Sequence, residues 1–157
     1  MILLGIDPGA TGGLAVVSTD VGRLPYIEEA CRMPTVKVRS KTLVDSDELF
    51  KWLMAWPIDA AIIEWVHAMP RQGVSSSFSF GRSTGAVEAV AMLVTKRVEF
   101  VSSTQWKRSF GLSSSKQASI DLARRLFGKS YTWDKKADDG IAEASLMCRW
   151  FLDKQAR

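Results

Sequence analysis

An apolar run that ends in one carboxylate and a glycine-rich turn is the feature that most constrains the fold of this chain. ILLGID (residues 2–7) is typical of a buried strand, and GGLAVVST (residues 12–19) of a second one. The short PGAT link between them favours a hairpin. An acid at the end of a buried strand is costly unless something compensates its charge. Two interpretations are open: the turn cradles a nucleotide phosphate, or Asp7 is one ligand of a metal site.

Length and composition predict one domain, residues 1–157, of an ordinary globular protein. The net charge of +4 and the pI of about 9.2 favour an anionic partner such as nucleic acid. Cys31 and Cys148 form no CxxC pair, and His67 is the single histidine, so a zinc set is excluded and two reduced thiols are expected. Without a signal-peptide pattern or an apolar run of about 18 residues, we expect a cytoplasmic protein and no membrane partner.

The order of predicted elements indicates a mixed α/β fold with a single sheet covered by helices. Three strands come first, followed by helix, strand, helix, strand, helix and helix. After residue 20 the predicted segments are a strand at 26–33, a loop at 34–46, a helix at 47–56 capped by Asp45 or Ser46, a strand at 59–66, a Gly/Ser-rich connection at 67–82, a helix at 84–95, a strand at 97–103, a basic loop at 103–116, a helix at 115–127 and a helix from about 137 to 152.

Besides Asp7, several acidic residues occur where burial of a carboxylate would cost free energy. Glu64 lies inside the apolar strand AAIIEWV, and Asp138, Asp139 and Glu143 lie on the last helix. Asp139 and Glu143 are four residues apart and therefore share a helix face. If both strands and the helix meet, the carboxylates would repel one another unless divalent cations neutralise them. Oxygen ligands without His or Cys suit Mg²⁺ or Mn²⁺, and two such ions about 4 Å apart are the usual device for phosphodiester displacement.

Three segments, LLGIDPGATGGLAVV, AAIIEWV and DDGIAEA, resemble in this order the acidic motifs of the RuvC-like Holliday-junction resolvases. This family belongs to the RNase H/integrase superfamily, and the phage-encoded members are the most similar. The resemblance implies an RNase H-like fold with a five-stranded mixed sheet flanked by helices. It also implies a Mg²⁺-dependent, structure-selective endonuclease that resolves four-way DNA junctions by paired, symmetric cleavage as a homodimer. A phage-encoded member would act in the host cytoplasm.

The resemblance also implies roles for individual side chains. Asp7 would bridge two ions, Glu64 would hold one of them, and Asp139 with Glu143 would hold the other. Within STQWKRSFG, Lys107 matches the family lysine and would offset charge that develops on the scissile phosphate. The motif KKADDGIAEA departs from the D-x-x-D pattern of the bacterial resolvases, so Asp138 remains a rival ligand.

Substrate contacts are predicted from basic and aromatic side chains in the middle of the chain. The two phenylalanines of this set either stack on unpaired bases at the crossover or pack into the core or a dimer interface. The apolar helix at 84–95 is the expected dimer interface, and His67 is expected to be solvated. The predicted DNA contacts are Arg71, Phe78, Phe80, Arg82, Lys107, Arg108 and Lys116.

Three other functions compete with junction resolution. GIDPGATGG also resembles the phosphate turn of actin-like sugar kinases, but those proteins need two such domains, and no GxxxxGK[ST] loop is present. An RNase H-like nuclease that cuts other branched DNA or RNA–DNA hybrids would use the same metal chemistry. A junction-binding protein without catalysis would lack an acidic ligand, and none of the expected acids is missing.

Overall fold

The computed structural model describes residues 1–20, 23–68, 71, 73–95, 97–128, 130–133 and 138–156. Its strands are β1 (Ile2–Asp7), β2 (Gly13–Ser18), β3 (Tyr26–Arg32), β4 (Thr35–Val38), β5 (Lys41–Val44), β6 (Ala60–Trp65) and β7 (Val98–Ser102). Its helices are α1 (Ser46–Met54), α2 (Val74–Val94), α3 (Ser103–Ser109), α4 (Lys116–Phe127) and α5 (Asp139–Gln155). Within these described ranges, no helix has both the length and the apolar character that a membrane span requires.

Five strands form one mixed sheet in the order β3-β2-β1-β6-β7. The chain first runs through the antiparallel pairs β1–β2 and β2–β3, and it then adds β6 and β7 parallel to β1. Parallel neighbours need crossover connections, and the helices between these strands provide them. The predicted five-stranded mixed sheet flanked by helices is therefore confirmed.

The central strands β1 and β6 are buried on both faces of the sheet. Leu3 and Ile62 belong to the core on the side of α4 and α5, whereas Leu4 and Ile63 belong to the core on the side of α1 and α2. All four side chains have no exposed surface. Side chains of successive strand residues point to opposite faces, so this alternation divides the interior into two cores. A charged residue in these strands has no access to water except at a strand end.

Helix α5 lies with its backbone directly on the sheet. A Cβ on Gly5 of β1 would come within 2.0 Å of the carbonyl oxygen of Ala144. A Cβ on Gly13 at the start of β2 would come within 2.6 Å of the carbonyl carbon of Gly140. Such distances are below van der Waals contact, so only glycine fits at either position. The first two turns of α5 are thereby held against the end of β1.

The predicted loop at 34–46 is wrong, because this segment forms a separate two-stranded hairpin of β4 and β5. Its strands are only four residues long: β4 (TVKV) does alternate between polar and apolar residues, but over the shortest run that indicates a strand, and β5 (KTLV) does not alternate. Leu43 and Val44 are the buried residues that attach the hairpin to the protein. The following helix is as predicted, since the Asp45 carboxylate accepts from the backbone N–H groups of Asp47 and Glu48 as its N-cap.

The predicted connection at 67–82 and the helix start at residue 84 are also wrong, because α2 already begins at Val74. Serine and glycine are weak helix formers, so their composition alone favours a loop here. Within α2 the hydroxyl of Ser79 donates to the Ser75 carbonyl, and that of Thr84 to the Phe80 carbonyl, so neither polar group is left without a partner. The later part of the helix buries Val87, Val90 and Ala91, and tertiary packing of this kind overrides a weak local preference.

The predicted basic loop at 103–116 contains a short helix, α3. A capping box starts it: the Ser102 hydroxyl accepts from the Gln105 N–H, and the Gln105 side chain accepts from the Ser102 N–H. Trp106 is fully buried and gives this helix its apolar anchor. At the end of the chain α5 begins at Asp139, and the predicted start near Ala137 lies outside the described residues.

Candidate metal centre

Asp7 and Glu64 are neighbours because their strands are parallel neighbours. In the β1–β6 ladder Ile6 pairs with Ile63, so the next residue of each strand is one of the two acids. Side chains at matching positions of adjacent strands point to the same face, which brings both carboxylates to the carboxyl end of the sheet. The chain then leaves through a turn in which Gly9 has a φ of 111°, a value that L side chains rarely adopt.

The third carboxylate comes from α5. Glu143 follows Gly140 by almost one helical turn, and Gly140 touches the turn after β1. The result is that one carboxylate oxygen from each of Asp7, Glu64 and Glu143 lies within 4.8 Å of the others. We call these three residues the carboxylate cluster.

Burial and the charges of neighbouring acids raise the pKa values of Asp7 and Glu64 in the carboxylate cluster. Burial raises the pKa of Asp7 well above its ordinary value of 3.8, and the charges of Glu64, Glu143 and Asp139 raise it further. Burial also raises the pKa of Glu64 from 4.5, with a smaller contribution from Glu143. The cluster therefore favours either a bound proton or a bound cation.

Two consecutive residues of α3 contact the carboxylate cluster. The buried indole of Trp106 donates from Nε1 to Glu64 Oε1 at 3.1 Å, and Lys107 Nζ lies 2.7 Å from Glu143 Oε1. The Ser119 hydroxyl also donates to Glu143 Oε1, at 3.2 Å. The Trp106 hydrogen bond lowers the pKa of Glu64, opposing the effect of burial. Trp106 and Lys107 thus stabilise the ionised form of Glu64, and Lys107 also stabilises that of Asp7.

The two other acids predicted near the start of the last helix, Asp138 and Asp139, lie outside the carboxylate cluster. Asp139 lies outside the carboxylate cluster, and its Oδ2 is 2.5 Å from Lys116 Nζ, although its charge reaches Asp7. Asp138 precedes the helix, is buried, and lies 3.4 Å from the guanidinium of Arg32. Among the described acids, the structure thus brings together Asp7, Glu64 and Glu143, with Asp139 beside them and Asp138 apart.

Comparison with known proteins identifies the family. Residues 3–142 match the family model described as crossover junction endodeoxyribonuclease RuvC. This chain belongs to the RuvC family. Its members are nucleases that cut DNA at crossover junctions, as the family description states. No curated protein sequence is significantly similar to the chain.

Solved structures of RuvC from Thermus thermophilus have the same fold. The complex of that RuvC with a Holliday junction substrate matches with a TM-score of 0.69 and 15% identity, over 98% of this chain and 96% of that one. A second structure of T. thermophilus RuvC matches with a TM-score of 0.63 and 19% identity, over 99% and 97%. The predicted RNase H-like fold is confirmed, whereas the likeness to phage-encoded members remains a prediction.

The predicted DNA contacts of this RuvC-family chain occupy several surfaces. Phe78 is 68% exposed on α2, with the Arg82 guanidinium 6.0 Å from its ring centre. Phe80 is half-buried beside the turn, where a Cβ on Gly9 would meet its ring at 3.1 Å. Phe78 is thus free to contact a ligand, whereas Phe80 packs against the turn that follows Asp7.

The remaining predicted contacts are cations. Arg71 is exposed and has a φ of 67°, and Arg108 is exposed on α3 one residue after Lys107. Lys116 is exposed at the start of α4, although its ammonium group pairs with an acid of α5. His67, expected to be solvated, is exposed.

The donor set of this RuvC-family centre fits a divalent cation. The carboxylate cluster supplies oxygen atoms only and is partly withdrawn from water, and burial raises the pKa values of Asp7 and Glu64. Hard cations such as Mg²⁺ and Mn²⁺ favour ligands of this kind. The arrangement can therefore hold a cation next to the cationic side chain of Lys107.

Trp106 is the site residue that the motifs did not predict. The indole contact with Glu64 joins residues 42 positions apart in the sequence. The available signal was a tryptophan next to the predicted lysine, directly after a strand. Because tryptophan is usually a core residue, the presence of one at this position does not indicate that it donates a hydrogen bond to an acid.

Proposed function

We propose that this chain resolves four-way DNA junctions by hydrolysing phosphodiester bonds with the help of divalent cations. The observation that carries the proposal is the carboxylate cluster at the carboxyl end of the sheet in a member of the RuvC family. A structure with the same fold is a complex with a Holliday junction substrate. We propose further that residues 1–157 act as one nuclease domain.

The residues that would hold the cations are Asp7, Glu64 and Glu143, with Asp139 as the fourth. We propose two Mg²⁺ ions, or Mn²⁺ in their place, with Asp7 between them. When bound, such ions lower the pKa of an attacking water and stabilise the leaving 3′ oxygen. The chain's own contribution is to hold the acids in a fixed geometry, with Glu64 oriented by the Trp106 indole.

The lysines beside the acids would serve the substrate. Lys107 Nζ lies at Glu143, so a phosphate entering the cluster meets this ammonium group. A fixed positive charge there would offset the negative charge that develops on the phosphate during hydrolysis. Lys116 is far more exposed and pairs with Asp139, which favours contact with a neighbouring phosphate.

Paired, symmetric cleavage requires two active sites, which a homodimer with two-fold symmetry provides. We propose that α2 is the interface, as expected for residues 84–95. Met92 and Leu93 are 56% and 74% exposed, and a Cβ on Gly85 would meet nothing within 4 Å. Exposed apolar side chains beside an open backbone favour close packing of a second helix. Sedimentation as a monomer at micromolar concentration, with and without junction DNA, would contradict the dimer.

The decisive experiment compares three labelled substrates: a four-way junction, an RNA–DNA hybrid and a linear duplex. Each is incubated with the protein in Mg²⁺ and, as a control, in EDTA. We expect paired nicks in opposite strands of the junction in Mg²⁺ alone. Preferential cleavage of the hybrid would favour the RNase H-like alternative. Junction binding without metal-dependent cleavage of any substrate would favour a non-catalytic junction-binding protein and overturn the proposal.

A further inference from the structure

The β4–β5 hairpin is attached to the turn that follows Asp7. The Met33 N–H donates to the Gly12 carbonyl at 3.0 Å just before β4, and the Asp45 N–H donates to the Pro34 carbonyl at 2.9 Å just after β5. These bonds close the base of the hairpin beside the candidate metal centre. We call residues 35–44 the basic hairpin.

The basic hairpin carries cations that the protein itself does not neutralise. Lys37, Arg39 and Lys41 are all exposed, and the sequence has no acid between Arg32 and Asp45. Across the described residues, none of the three forms an ion pair. Lysines elsewhere, such as those of α1, α3 and α4, do pair with acids. The hairpin cations are therefore available to an external anion.

Arg39, at the tip of the basic hairpin, has a backbone conformation that favours glycine or asparagine over arginine. Arg39 lies in the left-handed region with a φ of 54°, where glycine and asparagine are the usual residues of a tight hairpin turn. A long charged side chain at such a position weakens the turn and contributes nothing to packing, because Arg39 is exposed. An unfavourable backbone conformation that persists in a fold points to a role outside folding.

The basic hairpin is anchored to α2, so its cations have a fixed place. Leu43 and Val44 are each 6% exposed, and the Val44 N–H donates to the Ser83 hydroxyl of α2 at 3.3 Å. Val36 and Val38 on the other strand are 39% and 42% exposed. One strand thus holds the hairpin in place, and the other faces solvent together with Lys37.

We propose that the basic hairpin binds the sugar–phosphate backbone of a DNA duplex arm next to the cleavage site. The inference rests on the proposed function, because it adds a second contact surface to the same site. Three unpaired cations on a short projecting ribbon complement the regular phosphates of a duplex. These contacts would position the arm and carry no sequence information.

The test measures binding in a chain that does not cut, the Asp7→Asn variant, with a four-way junction and a linear duplex over a series of salt concentrations. Changing Lys37, Arg39 and Lys41 to Gln is expected to weaken binding on the order of tenfold and to reduce the slope of log K against log salt by about 2 to 3. The matched control changes Arg23, Arg97 and Arg125 to Gln. All three are exposed and lie outside the hairpin: Arg23 precedes β3, Arg97 precedes β7 with its guanidinium over the Phe151 ring, and Arg125 lies on α4. Equal losses in both triple variants would overturn the inference.

Single substitutions at the tip separate binding from folding. We expect Arg39→Gly to bind DNA more weakly while its melting temperature stays the same or rises, because glycine tolerates this φ. Arg39→Lys should keep most of the affinity. If Arg39→Gly instead binds as tightly as the parent chain, the tip makes no contact and the inference fails. If the cations only prevent edge-to-edge strand pairing, the triple variant would aggregate without losing affinity as a monomer, which also overturns it.

A cleavage assay with the unmodified chain shows whether a negative result concerns the hairpin contact or the proposed nuclease activity. Active cleavage of the junction together with a hairpin variant that matches the control overturns the hairpin contact alone. Absence of cleavage of every branched substrate, together with a specific loss of affinity in the hairpin variant, overturns the nuclease proposal and leaves the hairpin as a DNA-binding element.

Discussion

The carboxylate cluster and the basic hairpin are both connected to the turn after β1, but their charges are compensated in opposite ways. In the cluster, buried acids crowd together and take their compensation from inside the protein, from Lys107 and from Trp106. In the hairpin, the exposed cations form no ion pair with an acid in the described part of the chain. The difference separates two tasks of one surface: chemistry requires charges held in a fixed, partly dry geometry, whereas binding a polyanion requires charges that are free and spread out.

The largest expected effect separates the two regions directly. Changing Asp7 to Asn removes the central acid of the cluster and is expected to reduce junction cleavage on the order of a thousandfold or more. Binding of the junction should stay within about twofold, because the hairpin cations are untouched. Gel-based cleavage and fluorescence binding assays measure the two quantities. Asp20→Asn, at an exposed acid, is the control, and equal loss of binding and cleavage in Asp7→Asn would mean that Asp7 is structural.

A smaller effect is expected when the ammonium group of Lys107, which contacts the carboxylate cluster, is removed. Lys107→Met keeps the length of the side chain but leaves Glu143 without its ammonium partner, and it should lower kcat by about 10²- to 10³-fold. Single-turnover cleavage at saturating protein measures the chemical step. Lys51→Met on α1, where the lysine pairs with Asp47 and Glu48, provides the control. A change confined to KM would instead place Lys107 with the binding cations.

The indole hydrogen bond offers a still finer comparison. Trp106→Phe keeps an aromatic ring in the core but removes the Nε1–H that holds Glu64, and the affinity for Mn²⁺ should fall by about 10- to 100-fold. Calorimetric titration with Mn²⁺ measures this without any DNA. Trp52→Phe is a matched control, because the Trp52 indole donates to Glu29 at 3.0 Å on the protein exterior. Unchanged Mn²⁺ affinity in Trp106→Phe would exclude an orienting role.

The smallest effect expected is a shift in stability with pH and metal. Because burial raises the pKa values of Asp7 and Glu64, the folded metal-free chain binds protons more tightly than the unfolded chain. The metal-free protein should therefore lose stability as the pH rises from about 4 through these raised values. Mg²⁺ at about 100 times its Kd should restore about 2.7 kcal/mol near neutral pH. Thermal melts with Mg²⁺ or EDTA check this, and an equal effect of Mg²⁺ on Asp7→Asn would place the ion elsewhere.

Sequence predicted the parts of this protein that depend on local pattern. The strands that carry Asp7 and Glu64 are apolar runs interrupted by one acid, and their parallel pairing follows from the intervening helix. The mixed α/β class was predicted from the order of the elements and the five-stranded sheet from the resemblance of three motifs to the RuvC family, whose model matches residues 3–142. The grouping of Asp7 with Glu64 also follows from the strand ends, although their role as ligands remains a prediction.

What the sequence did not predict depends on tertiary contacts. The alternation in β4 spans only four residues and β5 has none, so the sequence pattern is too short to decide, whereas the burial of Leu43 and Val44 in the folded protein attaches the hairpin beside α2. The serine-rich start of α2 is continuous with a helix that packs Val87, Val90 and Ala91 into the core, and this packing is not visible in the local sequence. Trp106 reaches Glu64 only through the path of α3, and the different settings of Asp138 and Asp139 depend on where α5 begins.

The contact between α5 and the turn after β1 also makes the carboxylate cluster depend on both ends of the described chain. Asp7 comes from the first strand and Glu143 from the last helix, where Gly140 lies against Gly13. A polypeptide that still lacks α5 has both acidic strands but an incomplete cluster. We therefore expect the full set of three carboxylates to be available to a cation only after the last helix has been synthesised.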